Sequence, residues 1–292
     1  MFQVKIKNFL KDKPLVYSCA KVANNVLNLN YFIFIVRYFF HKIKIFQCLV
    51  FNKNVSPDYI LCGGLSKKRT MELEKKINNQ IDLFLKLNIK RKFIYIEVGV
   101  YIGQTTQALG KVLKKRLKNN FQIIAIDPFQ PYTNSLLNNI LIGSIFKYFI
   151  HNMRVANLNC SLTHIRMKSL DSLKFLKKNK IKYDFCFIDG SHKYYDVLRD
   201  IKEFSKIKFL YNKNNVRYKA MLLGDDYELT YSELYKISNQ NSKLLNQIKY
   251  ENINNDSTAY LQNKWFHPGV TFAIKDSKLK IIKQKHGIWI LQ

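Results

Sequence analysis

Acidic residues are scarce in this sequence. Its 292 residues include 49 lysines and arginines but only 20 aspartates and glutamates, so the formal net charge is +29. Such a charge attracts acidic partners. Lysine is abundant together with asparagine, isoleucine, tyrosine and phenylalanine, which share A/T-rich codons, so a compositional bias explains the basicity as readily as a functional demand does. Because acidic residues are so few, an acidic residue at a structurally specific position is a stronger candidate for a functional residue.

Cysteines are few and scattered, and none forms a C-x-x-C pair. This argues against a disulfide framework and against a structural zinc site, and it fits a reducing compartment. The first thirty residues lack an apolar stretch followed by a small-residue cleavage site, so we expect no signal peptide and a cytoplasmic protein. The five cysteines are Cys19, Cys48, Cys62, Cys160 and Cys186.

No uninterrupted hydrophobic run is long enough to span a membrane. The most apolar window, residues 31–51, is broken by four residues, namely Arg37, His41, Lys42 and Lys44. A spanning helix needs roughly 20 apolar residues in a row. Two interpretations of the window remain open. It packs against the rest of the protein, which we favour, or it contacts the inner face of an anionic membrane as a peripheral helix.

Glycine and proline are also rare, with ten and five copies, and they form no linker. The turn SPDYILCGGLS at 56–66 is the best candidate for a boundary. We predict a mostly helical N-terminal extension over 1–65 and one main domain over 66–292. Ser66 is placed to cap a helix over about 67–88, where apolar residues recur with a helical period.

Short apolar runs then alternate with helical stretches. Unbroken apolar strands of this kind indicate a parallel sheet covered on both faces. The tail 279–291 instead predicts an antiparallel hairpin with a tight turn at His286-Gly287. We predict a doubly wound, Rossmann-like α/β fold with seven strands, mostly parallel. The five parallel strands are expected at 93–98, 122–127, 162–167, 183–189 and 220–226.

The first strand ends in IEVGVYIGQTT. Ligands of such sheets bind outside the carboxyl ends of the strands, where Glu97 is followed by Gly99, Gly103 and Thr105. The glycine spacing differs from the G-x-G-x-x-G of dinucleotide enzymes, and Glu97 would repel a diphosphate but attract an ammonium group. Both features disfavour a nicotinamide-dependent oxidoreductase.

The second and third strands end in two further candidate ligand residues. Asp127 can accept hydrogen bonds from the two hydroxyls of a ribose, although a turn residue before Pro128 is the plainer alternative. Ser169, after the third strand, could meet an adenine ring or simply cap the following helix.

Three aspartates end the last two parallel strands. Asp189 closes the fourth, and Asp225 and Asp226 close the fifth. Neighbouring strands lie about 4.8 Å apart, so these carboxylates should crowd one space. One of them must then hold a proton, or a cation must sit among them. Oxygen-only ligands suit Mg²⁺.

The ordered set of motifs resembles the class I S-adenosylmethionine-dependent methyltransferases. More narrowly, it is similar to the small-molecule and sugar O-methyltransferase group with an IDGxHxY motif and a DD motif. The resemblance covers about residues 90–292. The motifs that carry it are EVGVYIGQT, IDPF, FIDGSHKYYDVLRDI, LLGDDY and HPGVTFAI.

The resemblance implies an enzyme that methylates a hydroxyl group of a small molecule or glycan. Glu97, Gly99 and Gly103 would hold the methionine part of S-adenosylmethionine, with Thr105 beside them, Asp127 the ribose and the region of Ser169 the adenine. Asp189, Asp225 and Asp226 would bind a divalent cation, as they do in some members, and Asp189 or His192 would take the acceptor's proton. Two alternatives stay open: an RNA-modifying methyltransferase that uses the basic surface, and a non-catalytic binding protein that retains the fold.

Overall fold

The computed structural model describes residues 29–60, 65–130, 145–213 and 216–292, so residues 1–28 and 61–64 of the predicted extension lie outside the described residues. The described strands are β1 (Phe93–Val98), β2 (Phe121–Ile126), β3 (Leu162–Ile165), β4 (Phe185–Ile188), β5 (Leu210–Lys213), β6 (Val216–Lys219), β7 (Met221–Gly224), β8 (Ala259–Leu261), β9 (Lys264–Phe266), β10 (Ile281–Lys283) and β11 (Trp289–Leu291). The described α-helices are α1 (Leu29–Val50), α2 (Lys67–Lys86), α3 (Gln104–Leu117), α4 (Ile145–Val155), α5 (Ser169–Lys178), α6 (Tyr194–Phe204), α7 (Tyr231–Ile237), α8 (Ser242–Asn252) and α9 (Pro268–Ser277).

Seven of the strands form one twisted sheet in the order β10-β11-β7-β4-β1-β2-β3. The pairs β1–β2, β2–β3, β1–β4 and β4–β7 are parallel, whereas β11 runs antiparallel to both β7 and β10. The predicted fold class is confirmed. β1 lies at the centre of the five parallel strands, and the chain leaves it in both directions, so the strand order reverses beside β1.

Helices cover both faces of this sheet. On one face the core contains apolar residues of α2, α3 and α4, and on the other it contains those of α5, α6 and α9. Helix α2 shows how the sequence produces this layer. Ser66 accepts a hydrogen bond from the backbone N–H of Arg69 at 3.3 Å and caps the helix. From there Leu73, Ile77 and Ile81 recur every four residues and are fully buried.

The C-terminal hairpin is present, but its turn is longer than predicted. A short 3₁₀ turn at Lys285–Gly287 joins β10 to β11, and His286 and Gly287 both have a positive φ. Two further antiparallel hairpins, β5–β6 and β8–β9, were not predicted. The second of these turns at Gln262-Asn263, which adopts the left-handed region without a glycine.

Helix α1 belongs to the predicted extension. Its Ile45 and Cys48, and Val55 after it, are buried in the same core as α2 and α3. Among the described residues, no helix is both long enough and apolar enough to cross a bilayer. The domain boundary near residue 65 stays a prediction.

Candidate active site

The strand ends bring the acidic residues of the sequence to one edge of the sheet. Glu97 lies near the end of β1, Asp127 directly follows β2, and Asp189 directly follows β4. Asp225 and Asp226 follow β7, which pairs with β4. Because these strands are parallel, their carboxyl ends meet at the same edge, which is where the strand order reverses.

Gly99 lets two of these strand ends approach each other. Its φ is +83°, a conformation that side chains with a Cβ rarely adopt, and an added Cβ would lie only 1.8 Å from the carbonyl oxygen of Asp189. The backbone of Asp189 also donates a hydrogen bond to the carbonyl of Val98 at 2.7 Å. The turn after β1 and the turn after β4 are therefore in direct contact.

Glu97 is almost fully buried, at 1% exposure. Its Oε2 atom accepts hydrogen bonds from the hydroxyls of Tyr95 at 2.6 Å and Thr106 at 2.8 Å. Burial raises the pKa of Glu97 to about 7, although the two hydroxyls oppose the shift. Ionised Glu97 is thus a desolvated carboxylate that a ligand cation would neutralise.

Asp127 has a structural function beyond any contact with a ligand. Its Oδ2 atom accepts hydrogen bonds from the backbone N–H groups of Val100 and Tyr101, at 3.1 and 2.9 Å, and its Oδ1 atom accepts one from Phe129 at 2.6 Å. It therefore fixes the turn after β1 as well as its own turn. Burial raises its pKa, and these three N–H groups oppose the rise.

Two adjoining cavities open at this edge. The first, of about 500 Å³, is lined by Glu97, Gly99 and Thr105 together with the Asp189 cluster. The second, of about 710 Å³, is lined by Asp127 and Ser169. Gly99, Gly190 and Asp256 line both. Each volume lies in the ordinary range for a ligand pocket.

Gly103 is the predicted cofactor residue that lines neither of these cavities. It precedes α3 with a φ of +81°, and an added Cβ would lie 2.5 Å from Met153 and 2.9 Å from Phe149 of α4. The structure therefore places Gly103 in helix packing rather than at a cavity wall. Ser169 does not cap α5; its hydroxyl accepts a hydrogen bond from Arg199 at 3.3 Å.

Asp189, Asp225 and Asp226 lie together as their strand positions require. Each offers a carboxylate oxygen, and the three oxygens lie within 4.8 Å of one another. A cation from the chain itself reaches two of them, because Nη1 of Arg69 lies 2.7 Å from Oδ2 of Asp225 and 3.0 Å from Oδ1 of Asp226. Arg69 was not predicted as part of this cluster, because it precedes its partners by more than 150 residues in the chain.

His192 also faces carboxylates on both sides. Its Nδ1 lies 2.6 Å from Oδ1 of Asp256, and its Nε2 lies 2.7 Å from Oδ2 of Asp226. Burial lowers the pKa of His192, but the bonds and charges of the two aspartates outweigh burial and raise it to about 11. The raised pKa favours the protonated ring, which has no lone pair to accept a proton, and the role of His192 as a base stays a prediction.

The same carboxylates differ strongly in proton affinity. Burial and the charges of Asp225 and Asp226 raise the pKa of Asp189 well above its ordinary value. Burial, followed by the charge of Asp226, raises the pKa of Asp225 to about 7. Burial opposes ionisation of Asp226 too, but the hydrogen bond and charge of His192, with His267 and Arg69, lower its pKa. The negative charge of the cluster thus concentrates on Asp226.

Three more residues complete the cluster. Nδ1 of His267 lies 3.2 Å from Glu228, and the rings of His192 and His267 lie 4.5 Å apart. Glu228 also contacts Nη2 of Arg69 at 3.3 Å. Glu228 and Asp256 come from the chain between β7 and α9, outside every motif of the sequence, whereas His267 begins the HPGVTFAI motif.

Comparison with known families adds to this geometry. Residues 96–227, from within β1 to just beyond β7, match the model of a family described as a methyltransferase domain. Residues 96–227 are thus similar to a methyltransferase domain. The family resemblance inferred from the motifs is thereby confirmed, as is the expectation of an enzyme. The chain has no match among the curated proteins.

Several solved methyltransferase structures resemble the chain at low identity. An O-methyltransferase from Bacillus cereus is 14% identical with a TM-score of 0.38, covering 77% of this chain and 89% of that one. A calicheamicin methyltransferase is 9% identical with a TM-score of 0.45, covering 86% and 91%. An O-methyltransferase from Streptomyces achromogenes is 11% identical with a TM-score of 0.39, covering 73% and 79%. These likenesses carry no statement about this chain's substrate.

Proposed function

We propose that this methyltransferase transfers the methyl group of S-adenosylmethionine to a hydroxyl oxygen of a small-molecule or glycan acceptor. One observation carries the proposal. Glu97 and Asp189, from the ends of two adjacent strands, line one cavity that adjoins a second cavity containing Asp127 and Ser169. A methyl donor and an acceptor oxygen therefore have neighbouring places at the edge of a methyltransferase domain.

The residues present suit the cofactor's chemistry. Glu97 offers a buried carboxylate to the donor's ammonium group. The hydroxyls of Tyr95 and Thr106 both donate their hydrogen bonds to Oε2 of this carboxylate. Gly99 lines the same cavity, and the absence of a Cβ there lets the turns after β1 and β4 meet at the cavity wall. Asp127 and Ser169 line the second cavity, where we place the ribose and the adenine ring.

The chemistry of the transfer assigns Asp189 as the base. The acceptor oxygen forms a bond to the methyl carbon while the carbon–sulfur bond breaks, and the hydroxyl proton must leave the acceptor. The raised pKa of Asp189 makes its ionised form a stronger base than an ordinary aspartate. His192, as an imidazolium between Asp226 and Asp256, orients the cluster instead of accepting the proton.

A divalent cation also fits the cluster in chemistry and spacing. Asp189, Asp225 and Asp226 supply carboxylate oxygens within 4.8 Å of one another, and oxygen is the ligand atom that Mg²⁺ prefers. When bound there, such an ion would lower the pKa of the acceptor hydroxyl. Arg69 already bonds to two of the three carboxylates, so we propose that cation binding requires Arg69 to move away.

The charge around the cavity favours a small acceptor over RNA. Six carboxylates, those of Glu97, Asp189, Asp225, Asp226, Glu228 and Asp256, line the first cavity or contact the residues lining it. The negative charge concentrated on Asp226 disfavours a phosphodiester backbone there, although Arg69 and His192 partly offset it. RNA methylation therefore remains the less favoured alternative, and a non-catalytic role would require that the cavities bind no methyl donor.

The decisive test is calorimetry with S-adenosylmethionine, followed by a methyl-transfer screen over sugars, phenols and a short RNA. We expect binding, and transfer to a hydroxyl acceptor, in the native protein. Asp127→Ala should bind the donor more weakly, while Glu251→Gln on the exposed face of α8 should behave as the native protein. Absence of donor binding would refute the enzyme proposal, and transfer to RNA alone would replace the acceptor class.

A further inference from the structure

Helix α1 exposes a continuous apolar face. At 100° of rotation per residue, the exposed apolar positions from 36 to 51 fall within an arc of about 140°. Gln47 is the single polar residue in that arc. We call these residues the α1 face: Val36 (38% exposed), Phe39 (68%), Phe40 (63%), Ile43 (49%), Phe46 (66%), Val50 (58%) and Phe51 (66%).

The opposite side of the helix fixes this orientation. Ile45 and Cys48 are buried in the core of the main domain, at 4% and 8% exposure. Beyond the helix, Asn152 of α4 accepts a hydrogen bond from the N–H of Val55 at 2.8 Å and donates one to its carbonyl at 3.0 Å. The helix cannot rotate the α1 face inward without breaking these contacts.

The charges beside the α1 face are all basic. Residues 29–50 contain no aspartate or glutamate. Lys42 and Lys44 lie on opposite borders of the apolar arc, and Lys53 follows the helix at an exposed position. A wide apolar face bordered by lysines on both sides is the pattern of a helix that lies in a membrane interface.

We propose that the α1 face binds the surface of an anionic lipid bilayer. Its phenylalanines would enter the region between headgroups and acyl chains, and Lys44 and Lys53 would contact lipid phosphates. The helix is too polar to span the bilayer, so it lies along the surface. This inference is independent of the proposed reaction.

Charge also argues against a second copy of the chain as the occupant. Two copies paired through the α1 face would bring their bordering lysines together, and each copy carries a formal charge of +29. A nucleic acid would match the lysines but would leave the phenylalanines without an apolar partner. A bilayer with anionic headgroups matches both features.

The test is co-sedimentation of the full chain with vesicles of phosphatidylcholine alone or of phosphatidylcholine with phosphatidylglycerol. We expect binding to the anionic vesicles, weaker binding at high salt, and little binding to the neutral ones. The double variant Phe39→Asp/Phe46→Asp should bind at least about tenfold more weakly. Tyr250→Asp, at a residue 83% exposed on α8, is the matched control and should bind as the native protein does.

Two results would overturn the proposal. In the first, the double variant binds anionic vesicles as well as the native chain does. In the second, light scattering shows a native dimer that the double variant converts to a monomer, with no vesicle binding by either, which would make a second copy the occupant. Thermal melting of all variants checks their folding, and Phe46→Ser serves if the double variant is unstable.

Discussion

The guanidinium of Arg69, in the first turn of α2, bridges the carboxylates of Asp225 and Asp226, which follow β7. Oδ1 of Asp225 accepts a hydrogen bond from the N–H of Asp226 at 2.8 Å, and Oδ2 of Asp226 lies 2.7 Å from His192. All four oxygens of the two carboxylates thus already contact positive or donor groups of the chain. Any metal ion at this cluster competes with Arg69.

Arg69→Gln should therefore increase the affinity for Mn²⁺, used as a spectroscopic probe for Mg²⁺, by at least about tenfold. The reason is that removing one cation leaves the buried carboxylates in need of another. Electron paramagnetic resonance of free Mn²⁺ measures this without any assay of activity. Lys76→Gln, on the same helix and paired with Glu72 at 3.5 Å, should leave the affinity unchanged. Equal affinities in all three proteins would show that Arg69 does not control the cluster.

The sequence predicted the sheet well because its strands are buried on both faces. Runs such as FIYIEV and FCFI are recognisable as strands from the local sequence alone. Glu97 and Asp189 were predicted as site residues because they lie at the ends of these strands. The hairpins β5–β6 and β8–β9 were not predicted because the sequence between their strands contains no glycine, the residue that marks a tight hairpin turn. They also contribute little to the main sheet.

The partners of the acidic cluster could not be predicted from sequence. Arg69 and Asp256 reach the cluster from a helix that precedes β1 and from a loop after β7, and no local pattern relates either position to the strand ends. The raised pKa of His192 depends on Asp226, which the sequence had already placed beside Asp189, and on Asp256, which it had not.

Glu97 should make donor binding depend on pH. Its pKa is about 7 in the folded protein, and only the ionised form pairs with the donor's ammonium group. Below that pH a proton competes, so calorimetry should show affinity for S-adenosylmethionine falling about tenfold from pH 8 to pH 6. Glu97→Gln should bind more weakly at pH 8 and show a flatter profile. A native profile as flat as that of the variant would contradict the assignment of Glu97.

The same group should affect the stability of the ligand-free protein. A carboxyl whose folded pKa is raised contributes stability that is complete below its unfolded value of 4.5 and is lost as the pH rises through about 7. The native chain should therefore lose stability relative to Glu97→Gln over this window. Denaturant unfolding at several pH values measures the difference in the free energy of unfolding between the two proteins. If the native chain became more stable relative to the variant as the pH rises, the result would contradict the sign that we expect.

Gly99→Ala should destabilise the fold. An alanine there would have to hold a φ of +83° and would place its Cβ 1.8 Å from the carbonyl oxygen of Asp189, so one of the two turns must shift. The strain and the shift together should cost more than about 2 kcal/mol in the free energy of unfolding. Gly190→Ala is a close control, because its added Cβ would lie 3.6 Å from Val98 and meets ordinary packing. Similar losses in the two variants would mean that the contact between the turns is not tight.

Arg91 and Asp184 form the ion pair that should matter most for stability. Asp184 is fully buried at the start of β4, where it accepts hydrogen bonds from Arg91 at 2.6 and 2.7 Å, from the hydroxyl of Tyr218 at 2.6 Å and from a backbone N–H at 2.8 Å. Arg91→Ala leaves that carboxylate without its cation, at a cost of about 3–5 kcal/mol in the free energy of unfolding. Arg116→Ala breaks a comparable pair with the exposed Asp82 and should cost less than about 1 kcal/mol, since water replaces the lost partner. Chemical denaturation of both variants separates the two cases, and equal costs would mean that the buried carboxylate finds other compensation within the core.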